Sequence, residues 1–121
     1  MRSVLLLVPL VAGCYSQYDY VTTKTDTFCS WLLECTDPSV LAFDGMNMEV
    51  CQGFWGPRFE EEGLECKKFK RGVAKQCIEA LELATCPADG SPVSDNIPEV
   101  CDFVYLRCEP QALEEPEPTD G

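Results

Sequence analysis

Nine cysteines and no histidine decide which chemistry this 121-residue chain can carry. Without imidazole, the serine and cysteine triads and the usual catalytic zinc sites lack a base or a ligand. No two cysteines are separated by just two residues, so neither a thioredoxin-like redox pair nor a zinc knuckle is spelled out. The tightest gap, Cys29 to Cys35, holds five residues. Cross-linking is the chemistry that remains. Cys29, Cys35, Cys51, Cys66, Cys77, Cys86, Cys101 and Cys108 form an even set compatible with four disulfides, whose connectivity the spacing leaves open. Other motifs are weak. Gly53-Phe54-Trp55-Gly56 lacks the spacing and the lysine of a phosphate loop. Asp89, Ser91, Ser94, Asp95 and Asn96 put oxygens in one loop, but without the spacing and closing glutamate of a calcium loop they read as turn chemistry. No metal and no cofactor is called for. Two positioned acids suffice for glycoside cleavage, yet with 21 acids in the chain a pair by itself identifies nothing.

The ninth cysteine, Cys14, stands apart. One charge at Arg2 is followed by an apolar run, Val4 to Val11, then two small residues and the cysteine. That is the layout of a secretory signal, and the run is far short of the ~20 residues that span a bilayer. Val11-Ala12-Gly13-Cys14 resembles the lipobox of bacterial lipoproteins, with Val11 where leucine is commonest. The resemblance covers residues 1–14. It implies a diacylglyceryl thioether on Cys14, cleavage after Gly13, and acylation of the new amino group. Cysteine parity points the same way, because lipid on Cys14 leaves the even set for disulfides. Tyr15, and not aspartate, follows Cys14, which in a Gram-negative host implies an outer-membrane or surface position. Ordinary cleavage, with Cys14 a plain thiol on a secreted protein, is the alternative. In layout the chain resembles the small cysteine-rich lipoproteins of bacteria, myxobacteria among them, a likeness that implies no activity.

Charge narrows the partners. The formal charge is −12, one unit more negative without Arg2. This argues against nucleic-acid binding, whose main term is attraction of Lys and Arg to phosphate. It also argues against adsorption to anionic lipid through protein charge, which leaves the acyl chains to hold the membrane.

The elements follow from periodicity. Residues 14–25, polar and tyrosine-bearing, read as a tether, or as rings resting in the headgroup layer. A helix is expected from Thr27, with Phe28, Trp31, Leu32 and Cys35 on one face and Trp31 in the core. Pro38 to Asn47 reads as a loop, with Phe43 covering the core. A short helix from Met48 should end at Gly56-Pro57. Between Pro57 and Gly72, acids at 60–62 precede Lys67, Lys68, Lys70 and Arg71, the order that suits a helix dipole. A docking patch for an anionic partner is the other reading of that basic cluster. Val73 to Thr85 is the clearest helix, with Val73, Cys77, Ile78, Leu81 and Ala84 as its stripe and Lys75 spaced to pair with Glu79. After an exposed loop to Pro98, a last helix through Cys108 competes with a strand over 103–106. Residues 109–121, acidic and Pro-rich, read as a disordered tail.

The expectation is therefore an all-α fold, a small disulfide-stabilised bundle of three to five short helices. Residues 1–13 are the lipoprotein signal, 14–25 the tether, 26–108 the domain and 109–121 the tail. A domain of about 80–85 residues buries too little apolar surface for comfortable stability, so the cross-links are structural. The leading function is a membrane-anchored envelope or surface lipoprotein with a non-enzymatic binding or structural role. Its partners are the membrane, through lipid on Cys14, and an envelope protein. An inhibitor or toxin-like module presenting Pro38–Gly45 or Ala88–Pro98 is an alternative. A small carboxylate-based envelope hydrolase is the second.

Overall fold

Ser16 starts the fold. In the computed structural model, which describes residues 15–108, its hydroxyl accepts the Asp19 amide at 3.1 Å. The Asp19 carboxylate accepts the Ser16 amide at 3.0 Å in return. This reciprocal cap satisfies two donors that a helix start leaves open. Helix α1 follows as Gln17–Cys35, so the tether expected over 14–25 is corrected. Tyr20, Lys24 and Thr25 are buried. The physical reason is a stripe, Tyr20, Lys24, Phe28, Trp31 and Cys35, at helical spacing. The cation at Lys24 and four neighbouring threonines, poor helix formers, disguise it in the sequence. The signal, Cys14 and the tail fall outside the described residues.

Helix α2, Pro38–Asp44, forms where a loop was expected. Asp37 accepts the Ser39 amide at 2.8 Å, Pro38 fills the first turn, and Gly45 closes the end at φ 66°. Phe43 does not cover the core; it is 91% exposed. Helix α3, Met48–Glu62, runs on through Gly56-Pro57, which was expected to end it. An interior proline costs about 3 kcal/mol. Rings on both sides of it offset that cost: Trp55 and Phe59 stack at 5.6 Å and reach Phe28 at 4.9 and 5.4 Å.

The helix expected from Pro57 to Gly72 is not continuous. After Gly63 the chain turns into strand β1, Cys66–Phe69, which pairs antiparallel with β2, Tyr105–Cys108. Cys66 faces Cys108 and Phe69 faces Tyr105 in this register. Both rings then close on Tyr20, at 5.8 and 6.0 Å. The last helix is likewise replaced by a 3-10 turn, Glu99–Phe103, leading into β2. Helix α4, Arg71–Leu83, matches its periodicity and buries Ala74, Cys77, Ile78 and Leu81. Lys75 does not pair with Glu79; its ammonium lies 5.6 Å over the Tyr15 ring.

The eight cysteines pair as Cys29–Cys51, Cys35–Cys86, Cys66–Cys108 and Cys77–Cys101. The first ties α1 to α3 and the second ties the end of α1 to the loop after α4. The third clamps the ribbon, and the fourth ties α4 to the 3-10 turn. The protein is a small, disulfide-stabilised helical domain with a two-stranded ribbon at one side. Among the described residues, no helix is long and apolar enough to cross a membrane.

Gly63 is a close approach and cannot be lengthened. A Cβ there would lie 2.6 and 2.8 Å from carbons of the Tyr105 ring and would also strike the Gln17 amide. Gly63→Ala should cost about 1–3 kcal/mol in chemical denaturation. Gly72→Ala, in α4 with nothing near its Cβ position, should be neutral or stabilising by up to about 1 kcal/mol. Equal effects of the two would contradict the packing described.

Candidate functional site

A cavity of about 390 Å³ opens between the middle of α1, the end of α3 and the C-terminal segments. Lys24 forms its floor and Glu62 one wall, while Ser94, Asp95, Asp102 and Tyr105 complete the lining. The Cys66–Cys108 and Cys77–Cys101 cross-links border it through Cys108 and Cys101. The Lys24, Glu62, Cys101 and Cys108 walls are thus fixed by helix packing or covalently.

Lys24 is the unusual residue. Its side chain is 3% exposed, and its ammonium donates to Glu62 Oε1 at 3.0 Å. The same ammonium lies 4.4 Å over the Phe59 ring and 5.6 Å over that of Tyr20. It therefore sits where two aromatic groups meet, Phe28–Trp55–Phe59 on one side and Tyr20–Phe69–Tyr105 on the other. A buried ammonium is costly unless paired, and both the carboxylate and the ring faces compensate it. The Tyr105 hydroxyl is enclosed without a hydrogen-bond partner. Burial, followed by the Glu62 charge, pushes the Tyr105 phenol up to about 12, with the Gln17 side chain acting in the opposite sense. Tyr20 is raised as well, by burial first and Glu62 second, and its hydroxyl donates to Cys77 Sγ at 3.5 Å.

This arrangement holds a structural ion pair beneath an acidic rim. It can present carboxylates to a cation. Asp95 and Asp102 stand exposed on the rim, whereas a carboxylic acid that protonates a leaving group needs an apolar enclosure. The Asp89 loop shows the turn chemistry expected of it. The Asp89 carboxylate accepts from the Ser91 amide at 3.0 Å and its hydroxyl at 2.7 Å, which holds the carboxyl below its usual range. Among the described residues, no group of three His, Cys, Asp or Glu side chains is placed to hold a metal ion.

The eight expected cross-linking cysteines are brought together in pairs; Cys14 lies outside the described residues. The residues that line the cavity were not expected. Lys24 is readable in retrospect from its four-residue spacing to both Tyr20 and Phe28. Nothing in the sequence marks Glu62 among three consecutive glutamates.

The ion pair has an asymmetry that stability measurements can read. Glu62 is 46% exposed and can hydrate alone, whereas Lys24 cannot. Glu62→Gln should therefore cost about 2–4 kcal/mol, while Lys24→Met should be close to neutral. Alkaline titration gives a second expectation. A phenol whose folded pKa lies above its unfolded value of about 10 stabilises fully below that value and loses the contribution as pH rises to the folded pKa. Stability should thus begin to fall near pH 10, with Tyr105 contributing up to about pH 12 and the more strongly raised Tyr20 prolonging the fall beyond it. Tyr105→Phe should reduce the fall and leave the part that belongs to Tyr20. Denaturation midpoints across that range check both.

No protein-family model matches the chain, and no curated protein or solved structure is significantly similar to it.

Proposed function

We propose that the protein is a lipid-anchored lipoprotein of the cell envelope or surface, with a binding or structural role and no catalysis of its own. The observation that carries this reading is cysteine parity. Eight cysteines pair with one another inside the domain. Cys14, directly after Val11-Ala12-Gly13, is the ninth, and none of the described cysteines is left to pair with it. An exported protein with an odd thiol needs a use for it, and acylation supplies one. Four disulfides in one small domain belong to an oxidising, extracellular environment. An outer-membrane or surface position is the finer reading, resting on Tyr15 after Cys14. Rigidity suits a binding or scaffolding role, since a cross-linked surface loses little conformational freedom on meeting a partner.

A secreted inhibitor or toxin-like module is the second reading, favoured by Phe43, which stands 91% exposed on α2. The helical backbone of Pro38–Asp44 removes the extended form in which a loop enters a protease cleft. Any such module would offer a helix face.

The intact mass of the natively expressed protein, measured before and after reduction and alkylation, separates the two readings. A chain starting at Cys14 with acyl mass, and eight thiols that label after reduction alone, is the expected result. A free Cys14 without lipid would remove the anchor and leave the secreted module.

A further inference from the structure

We infer that the domain rests directly on an anionic bilayer through a specific face. That face is made of the exposed start of α1, Leu64, and the basic stretch from Lys67 to Lys75. The inference builds on the proposed lipid at Cys14.

Three observations converge on it. The first is reach. Gln17 opens α1 just three positions after Cys14, and three residues of chain span about 10 Å at most. A lipid on Cys14 therefore holds the start of α1 at the headgroup layer, with no tether to lift it away. The second is an apolar surface at that same end. Tyr18 is 78% and Leu64 68% exposed, and with Val21 they line a shallow groove of about 260 Å³ bordered by Glu60. Exposed tyrosine beside aliphatic surface suits the interfacial layer, where the ring packs and the hydroxyl stays wet.

The third is charge. Five of the eight cations that follow Arg2 fall between Lys67 and Lys75, a stretch with no acid. Two contacts bring this stretch to the lipid-proximal end of α1: Phe69 packs on Tyr20 at one side, and Lys75 covers Tyr15 at the other. Lys67, Lys68, Lys70, Arg71 and Lys75 are all exposed. Helix stability does not account for the placement of Lys70 and Arg71. The helix-dipole order expected for this segment is reversed, because the acids at 60–62 end α3 while Lys70 and Arg71 open α4. A cation at a helix N-terminus is mildly unfavourable, and a local cost without a structural return points to use of the surface. The net negative charge of the protein does not forbid contact. At about 0.1 M salt the screening length is ~10 Å, so acids on distant faces are not felt at the membrane. Glu60 on the groove and Glu61 and Glu65 near Leu64 lie at this end and partly offset the five cations. Asp19, at this end, is turned onto Ser16 by its cap.

The acyl chains supply the affinity in this picture, and the face sets the orientation. The cavity above Lys24 and the α2 surface are then held in a fixed pose relative to the bilayer. The test removes the lipid so that the face must act alone. The chain from position 14 onward, carrying Cys14→Ser, is mixed at low salt with phosphatidylcholine vesicles, with or without a minor share of phosphatidylglycerol. Sedimentation with the anionic vesicles alone is expected. The double variant Lys70→Glu, Arg71→Glu should lower that binding by at least about tenfold. Both residues are exposed at the start of α4, where carboxylates suit the helix dipole, so the fold should persist by circular dichroism. Tyr18→Ser with Leu64→Ser should weaken binding while leaving its dependence on anionic lipid. Equal binding to both vesicle types, no binding, or indifference to the charge reversal would overturn the inference. Its failure is distinct from failure of the anchor. Acyl mass without a vesicle preference removes the face and keeps the lipid, whereas a preference without acyl mass removes the lipid and leaves a peripheral face.

Discussion

Helices α3 and α4 and the ribbon close on one stripe of α1, and that stripe has a cation in its middle. Tyr20 and Phe28 are wholly buried two turns apart, and Lys24 lies between them. The chain can bury it because Glu62 arrives at the end of α3 and Phe59 comes up beneath the ammonium. An interior proline in α3 and a close approach at Gly63 are consequences of bringing those two groups into place. If α3 ended at Gly56-Pro57, Lys24 would be stranded in an apolar site at a cost that a domain of this size could not absorb.

The cross-links act on a different part of the same problem. Cys29–Cys51 and Cys35–Cys86 both start on α1 and enclose separations of 22 and 51 residues. Each removes chain entropy from the unfolded state and is worth roughly 2–4 kcal/mol. Covalent closure therefore stabilises what a small core and a buried charge leave marginal. The ribbon shows this most directly. Two four-residue strands are not stable alone, but Cys66–Cys108 and the Tyr20–Phe69–Tyr105 cluster hold them.

The same compactness shapes the functional reading. The cavity over Lys24 is occupied by the needs of the fold, with its cation paired and its phenol enclosed. Exposed groups outside it include Tyr18, Leu64, Lys70 and Arg71 at one end, and Phe43 on α2. A protein with a rigid cross-linked body and exposed groups at the end nearest Cys14 is suited to being held at a surface in one orientation.

The sequence by itself determined the class of the molecule. Cysteine parity, the absence of histidine, the short apolar run from Val4 to Val11 and the stripe of α4 are local or compositional, and each could be read without knowing what lay opposite. It also left eight cysteines to pair with one another, without saying which met which, and it did not show that Cys66 and Cys108 would meet across two strands. Tertiary structure decided where α1 begins, that α3 passes through its proline, and that Cys66–Phe69 is a strand. In each case the deciding partner is distant in the chain: Glu62 for Lys24, the Phe28 ring for Trp55 and Phe59, Tyr105 for Phe69. Local propensity in these segments is weak or contrary, with threonines in α1, a proline in α3 and charges opposed to the helix dipole. Contacts formed across the chain carry more free energy than those preferences, and a sequence read in order cannot display them.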